Sequence, residues 1–459
     1  MSWALLVSSA SGEPRLDWEP LEPPTTERDA HSVAILSPAS WLHCAVSVAR
    51  NMRKLSRRSQ VLASGGGDAA KVWETVNALG AKPGMINMGQ GFPDFEGSAV
   101  ARQHAVEAIR MGGAGMNQYS AQPGLLQLRE AIAGFCERRH GAVYEPTTEI
   151  VVTAGAQEAL AASFLAFLDA GDEIVLIEPF YPFMLGSVHL AGAVPRMVTL
   201  QPPDFGIPIA DLRDAASSPK VKMIVLNTPH NPTGHVATAE EVNAIADICR
   251  EKDLIAVADE VYEHCVFAGR AHHRLADLPG MRERTVSIGS GGKLFSVTGW
   301  RVARAAGPAE LLRPLGQVHT HLTFSAPTPL QAGIAAALGA DDGLHGVACL
   351  FAGNFELLST ALLSVPGVRR ICAAQGGYFL VAETDRRDVD FCTMLAEEYQ
   401  MACTPMSVFY VTPFAEDSPC NLVRFTICKS RELIERACKA LAGKPIGEAA
   451  TSAKRQRTA

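Results

Sequence analysis

The stretch SIGSGGKLFSVTGWRVARAAGP, residues 287–308, sets a single lysine, Lys293, among glycines and hydroxyls, with Arg301 eight positions on. An amine in an uncluttered pocket can be kept close to neutral and attack a carbonyl. A fixed cation beside it can hold a phosphate. Three other polar clusters close apolar runs. AGAQEAL (154–160) is a glycine turn opening a helix, where the free N–H groups at 155–157 and the helix dipole suit phosphate. TPHNPTGH (228–235) puts Asn231 beyond one run, and LIAVADEVY (254–262) carries Asp259 and Tyr262 at the end of another. Read singly, these are a strand–helix turn, a β-turn, a cap with a surface ring, and a solvated amine.

Taken in order they describe one chemistry. An imine-forming amine (Lys293), a phosphate anchor (residues 155–157, Ser290 and Arg301), a buried carboxylate for a pyridine nitrogen (Asp259) and donors for a phenolate (Asn231 and Tyr262) make a pyridoxal phosphate site.

The elements that must position them follow from the run lengths. EIVVTAG (149–155), DEIVLIEP (172–179), VKMIVLNTP (221–229), LIAVADEVY and RTVSIGS (284–290) read as strands, short and rich in Ile and Val. Their unbroken apolar character suits a parallel sheet covered on both faces. AQEALAASFLAFLDAG (156–171) and TAEEVNAIADICREK (238–252) read as helices between them, the second with a Thr followed by acids at its start. The fold class is α/β: a mostly parallel, doubly wound large domain over 116–344, and a smaller α+β domain built from both chain ends, 71–115 and 345–442. Ligands of such sheets lie beyond the carboxyl ends of the strands, where the polar clusters fall.

Composition narrows the function. Apolar residues are 47% of 459 and charged residues 19%, enough for a sizeable core, and 41 Lys+Arg against 48 Asp+Glu leave a net charge of −7. That balance argues against a nucleic-acid partner. No apolar run approaches the ~20 residues of a membrane span. The eleven cysteines include no Cys-x-x-Cys pair, so no metal site is expected. Residues 1–70 join an acidic, Pro-rich stretch (19–29), a basic one (49–60) and a linker-like ASGGGD (63–68). They read as a disordered extension, an over-extended start with Met52 as a later initiator, or a transit segment for a mitochondrion or plastid in place of the cytoplasm. The tail 443–459 reads as disordered.

From about Trp73 to Leu441 the chain resembles the fold-type I, class I/II aminotransferases, and within them the kynurenine aminotransferase, glutamine transaminase K and cysteine-S-conjugate β-lyase group. MGQGFPDF (88–95), NQYSAQPGLLQLREAI (117–132), NTPHNPTGHV (227–236), ADEVYEH (258–264), GKLFSVTGWR (292–301) and VRFTICK (423–429) carry the likeness. The resemblance implies that Lys293 bonds pyridoxal 5'-phosphate covalently and shuttles the proton, with Asp259 on the ring nitrogen and Asn231 and Tyr262 on the ring oxygen. It gives Ser290, Arg301 and the backbone of Ala156 and Gln157 to the phosphate, and Tyr181 to the face of the ring. Arg424 matches the substrate-carboxylate arginine, and Gly91, Trp73 and Asn231 match substrate contacts. Tyr119 is expected at the phosphate of a second subunit in a homodimer. The activity implied moves an amino group from an L-amino acid (kynurenine, glutamine, methionine or aromatic) to a 2-oxo acid such as 2-oxoglutarate, by a ping-pong course. Elimination from a cysteine conjugate, or a non-catalytic relative, are the competing readings. Gln157, Ala303, Arg304 and Ser325 depart from the family's usual residues, and Ala303 with Arg304 is expected to alter packing near the phosphate.

Overall fold

In the computed structural model, residues 56, 58–60, 62, 67–267, 269–340, 344–412, 414–415 and 418–443 are described, with side chains at 67–73 excepted. The expectations for most of the 1–70 extension and for 444–459 therefore lie outside the described residues. Within the stretch read as a linker, Gly67 and Asp68 already belong to helix Gly67–Gly80.

In chain order the strands are β1 (Ile86–Asn87), β2 (Ile150–Thr153), β3 (Glu173–Glu178), β4 (Val194–Thr199), β5 (Val221–Asn227), β6 (Ile255–Asp259), β7 (Thr285–Ser290), β8 (Ala303–Ala306), β9 (Val368–Ile371), β10 (Phe379–Thr384), β11 (Met401–Ala402), β12 (Thr404–Pro405) and β13 (Leu422–Thr426). A seven-stranded sheet has the order β2-β8-β7-β6-β5-β3-β4. Within it β8 alone runs against its neighbours.

The apolar runs are explained by burial on both faces. Ile174, Leu176, Met223, Val225 and Val257 pack to one side with Ala159, Leu160 and Phe164 of helix Ala156–Phe167. Val175, Ile177, Ile224, Leu226 and Ala256 pack to the other with Val242, Ile245 and Ile248 of helix Ala239–Lys252. That second helix starts on a capping box, with Thr238 and Glu241 satisfying each other's backbone N–H groups.

Two strands of this sheet were not among those read from apolar runs. β4 is an edge strand, partly exposed and carrying Pro195 and Arg196, so it lacks a buried run. β8 is Ala-Arg-Ala-Ala, with no β-branched residue to announce it.

A four-stranded antiparallel sheet, β12-β13-β10-β9, stands apart from the first, and β1 pairs in parallel with β11. This last pairing brings residues 86–92 alongside the carboxyl-terminal third of the chain. Helix Ala99–Met111 behaves differently from its sequence neighbours in 71–115: it packs on helix Thr328–Ala340.

Arg304 does not turn toward the cluster around Arg301. Its Nη2 donates to Oε1 of Glu263 at 2.7 Å, and Oε2 of Glu263 lies 2.9 Å from His140 Nε2. The guanidinium crosses Gly289, where a Cβ would collide with it. Burial raises the Glu263 carboxyl, but Arg304 and His140 more than offset this and hold it well below the ordinary range. The expectation of altered phosphate packing is thus corrected: the Arg304 cation is matched by a buried anion of its own. Removing one partner of such a pair leaves an uncompensated buried charge. Arg304→Met is expected to lower unfolding free energy by about 3 kcal/mol in urea titrations, and Arg304→Met with Glu263→Gln to recover part of the loss.

Candidate active site

Three adjacent strand ends define the floor. Asn227 at the end of β5 faces Asp259 at the end of β6 in register, and β7 ends on Ser290. The Asn227 amide donates to the Asp259 carbonyl at 2.9 Å, and its Oδ1 accepts from the Asn231 N–H at 2.8 Å. Asn227 therefore fixes the turn that carries Asn231. It stands at the end of the MIVLN run, a polar residue on an otherwise apolar strand, and that was the available signal.

Lys293 follows Ser290, whose Oγ accepts from the Lys293 N–H at 3.2 Å and caps the turn Gly291–Leu294. The glycines before it are dictated by packing: a Cβ on Gly291 would come within 2.8 Å of Ile334. The amine donates to the Gly91 carbonyl at 3.1 Å and lies 5.5 and 5.2 Å from the ring centroids of Tyr262 and Tyr378. The Tyr378 hydroxyl donates to the Lys293 carbonyl at 2.7 Å. Burial brings the amine down to about 8, with Arg301 and Arg424 pushing the same way. Burial also lifts Asp259 to about 7, against the Val261 N–H and the Lys293 charge.

Arg424, on β13, is 2% exposed. Its Nη1 donates to Asn231 Oδ1 at 2.9 Å and its Nη2 to the Gly89 carbonyl at 3.0 Å. The guanidinium lies 3.9 Å from the ring centroid of Phe379 and 4.6 Å from that of Phe409. Burial lowers it to about 9. Since Arg424 occupies Oδ1 of Asn231, the Asn231 amide nitrogen keeps its two donors for another partner.

Arg301 adopts a left-handed conformation (φ 54°) and lays its guanidinium against Gly155 (φ 91°), where any Cβ would strike it. Gly155 precedes helix Ala156–Phe167, whose N-terminus has no side-chain cap from that residue. The Gln157 side chain is turned away, its amide donating to the Phe183 carbonyl and to Ser187 Oγ.

One cavity of about 370 Å³ collects these groups. Lys293, Asp259, Asn231, Tyr262, Ser290 and Arg301 line it with Ala156, Gln157, Tyr181, Gly91 and Arg424. The strap Gln90–Phe92 and Phe379 of β10 complete the wall. Phe379 escaped the sequence reading, because only the docking of the second sheet brings it here. Tyr119 is placed outside the lining, 80% exposed, with its ring centroid 5.1 Å from that of Phe324. Ser325 is also outside the lining, and the Trp73 side chain lies outside the described residues.

The donor set fits pyridoxal phosphate. Uncapped N–H groups, a hydroxyl and a guanidinium converge at the Gly155 cradle, while a buried carboxylate and a depressed amine stand deeper in the cavity.

The family description "Aminotransferase class I and II" matches residues 83–441. The chain belongs to that family. This aminotransferase is 37% identical to the solved N-succinyldiaminopimelate aminotransferase from Mycobacterium tuberculosis, covering 81% of this chain and 96% of that one with a TM-score of 0.76. It is 32% identical to a methionine aminotransferase structure from Escherichia coli, covering 81% and 97%, with a TM-score of 0.75. It is 34% identical to a kynurenine–oxoglutarate transaminase of Dictyostelium discoideum, over 80% of this chain and 92% of the relative. The chain is accordingly a pyridoxal-phosphate-dependent transaminase of α/β, fold-type I architecture.

Only the unprotonated amine captures an aldehyde. The rate at which the cofactor-free aminotransferase takes up pyridoxal phosphate should therefore climb with pH to a midpoint near 8, set by Lys293. A stopped-flow profile still climbing steeply beyond pH 9.5, toward the ordinary lysine value of 10.5, would contradict this placement of the amine.

Proposed function

We propose that this aminotransferase takes L-amino acids with uncharged, medium to large side chains, of the kynurenine, methionine, glutamine or aromatic type, and passes the amino group to 2-oxo acids such as 2-oxoglutarate. The observation that carries the reading is Arg424, buried on aromatic rings and tied to Asn231 in the cavity that also holds Lys293 and Asp259. Among the described residues the cations lining that cavity are Lys293, Arg301 and Arg424. With Arg301 assigned to phosphate and Arg424 to the substrate α-carboxylate, no lining cation of this protomer is left to favour a side-chain carboxylate, so a dicarboxylate such as aspartate or 2-oxoglutarate is held through its α-carboxylate alone. The rings of Phe92, Phe183 and Phe379 suit an apolar or aromatic side chain instead. The names of the kynurenine and methionine relatives point the same way, whereas N-succinyldiaminopimelate carries further carboxylates.

When bound, pyridoxal phosphate supplies an electrophilic carbon and a pyridinium ring that accepts the electron pair of the broken Cα–H bond. Arg301, Ser290 and the N–H groups of Ala156 and Gln157 would hold its phosphate, with Tyr181 beside the ring. Asp259 would keep the ring nitrogen protonated, and Asn231 and Tyr262 would donate to the ring oxygen. Arg424 clamps the substrate carboxylate with two parallel charge-assisted bonds, orienting Cα toward Lys293. The Lys293 amine takes the Cα proton and returns it as general base and then acid. A homodimer, with Tyr119 reaching toward the second subunit's phosphate, accords with the exposure of Tyr119 and Phe324.

Initial rates with 2-oxoglutarate against kynurenine, methionine, glutamine, phenylalanine and aspartate test the proposal. Parallel double-reciprocal lines are expected, with aspartate the poorest donor; aspartate as the best donor would overturn the side-chain reading. Lys293→Ala should lose several orders of magnitude in turnover. Arg424→Lys should keep the cofactor spectrum but lose about 2–5 kcal/mol in kcat/KM for every α-amino acid, sparing amines without a carboxylate. Equal losses for both substrate types would show that Arg424 does not hold the carboxylate.

A further inference from the structure

Behind the phosphate cradle lies a charged cluster that the proposed mechanism does not use. Glu158, third residue of helix Ala156–Phe167, turns back so that Oε2 accepts from the Ala154 N–H. Its Oε1 accepts from Thr323 Oγ1 at 2.6 Å and lies 2.7 Å from Nδ1 of His319. The other ring nitrogen, Nε2, lies 2.9 Å from the Gln122 carbonyl oxygen. His319 is fully buried.

A carboxylate and a carbonyl offer lone pairs only. A neutral imidazole carries one N–H; Thr323 Oγ1 lies 3.3 Å from Nδ1, but its one proton goes to Glu158 at 2.6 Å, so either tautomer would aim a ring lone pair at one of those oxygens. The ring satisfies both partners when both nitrogens carry protons, and the cluster is then an imidazolium–carboxylate pair.

That charge matters because of where Glu158 sits. Its carboxylate is within a turn of the Ala156 and Gln157 N–H groups. A second anion at the same helix N-terminus competes for the same partial positive charge and repels the first. Glu158 nevertheless organises the turn, since it holds the Ala154 N–H just ahead of Gly155.

We propose that His319 is a positioning residue for the cofactor phosphate: as an imidazolium it neutralises Glu158, letting that carboxylate hold the Ala154–Gly155 turn without repelling the dianion bound one residue further on. The proposal rests on the assignment of the phosphate to Ala156, Gln157, Ser290 and Arg301.

The test compares binding of pyridoxal phosphate with binding of pyridoxal, which lacks the phosphate, by spectral titration of the cofactor-free full-length protein. His319→Asn keeps a donor near Glu158 but removes the charge. It should weaken pyridoxal phosphate about tenfold, ~1.4 kcal/mol, and change pyridoxal little. Glu158→Gln should leave phosphate binding unchanged or tighter, and His319→Asn with Glu158→Gln should return toward the parent value. Loss of both ligands alike in His319→Asn, or no recovery in the double variant, would overturn the proposal in favour of a packing role. If His319→Asn does not fold, Glu158→Gln decides, because a tenfold loss of pyridoxal phosphate there has the wrong sign. A parent protein that does not distinguish the two ligands overturns the phosphate assignment and this proposal with it. A parent that distinguishes them, with His319→Asn equally selective, overturns this proposal alone.

Discussion

The site depends on keeping one amine buried among cations without losing its reactivity. Lys293 has a carbonyl for a partner, aromatic rings on its flank and two guanidinium groups in the same cavity. Burial and the two guanidinium charges penalise the ammonium more than the carbonyl and the ring faces stabilise it, and the amine is left titrating at about 8. The same burial acts oppositely on Asp259, which rises to about 7 until a cationic ring nitrogen stands against it. A cavity that brings a base and an acid toward each other in this way suits proton transfer at ordinary pH.

The architecture serves that constraint by delivering parts from independent elements. The parallel strands β5, β6 and β7 end side by side, so Asn227, Asp259 and Ser290 arrive at one edge with no long-range search among loops. The second sheet contributes Arg424 and Phe379, and the pairing of β1 with β11 lays the 89–92 strap between them and Lys293. Gly89 and Gly91 accept through their carbonyls, and a Cβ at Gly91 would strike the Phe379 ring at 2.5 Å. The substrate arginine and the catalytic amine are thus anchored to one short backbone segment.

Much of this was legible in the sequence for a definite reason. Lys293, Asp259, Asn231 and Ser290 close apolar runs, and a polar residue at the end of a strand buried on both faces has few places to go but the sheet edge. Arg301 and Gly155 were visible as a cation and a glycine, although their mutual contact was not. Phe379, Tyr378 and the strap carbonyls were hidden because they reach the site only through tertiary docking. Arg304 shows the opposite failure. A departure from a familiar pattern suggested a disturbed phosphate site, whereas its cation is matched by Glu263 and His140 in a separate buried network. β8 was not legible from its own residues, because four residues of alanine and arginine carry no strand signature, and its place comes from β2 and β7 on either side.

The central claim, that Lys293 is the amine bonded to the cofactor, is most directly tested by borohydride reduction of the pyridoxal-phosphate-loaded protein followed by peptide mass mapping. Lys429 provides an internal control: it too is largely buried, with its amine lowered by burial and donating to the Phe92 carbonyl at 2.6 Å beside the same strap. The account predicts a single phosphopyridoxyl adduct, on Lys293. An adduct on Lys429, or none on Lys293 in protein that still turns over, would contradict it.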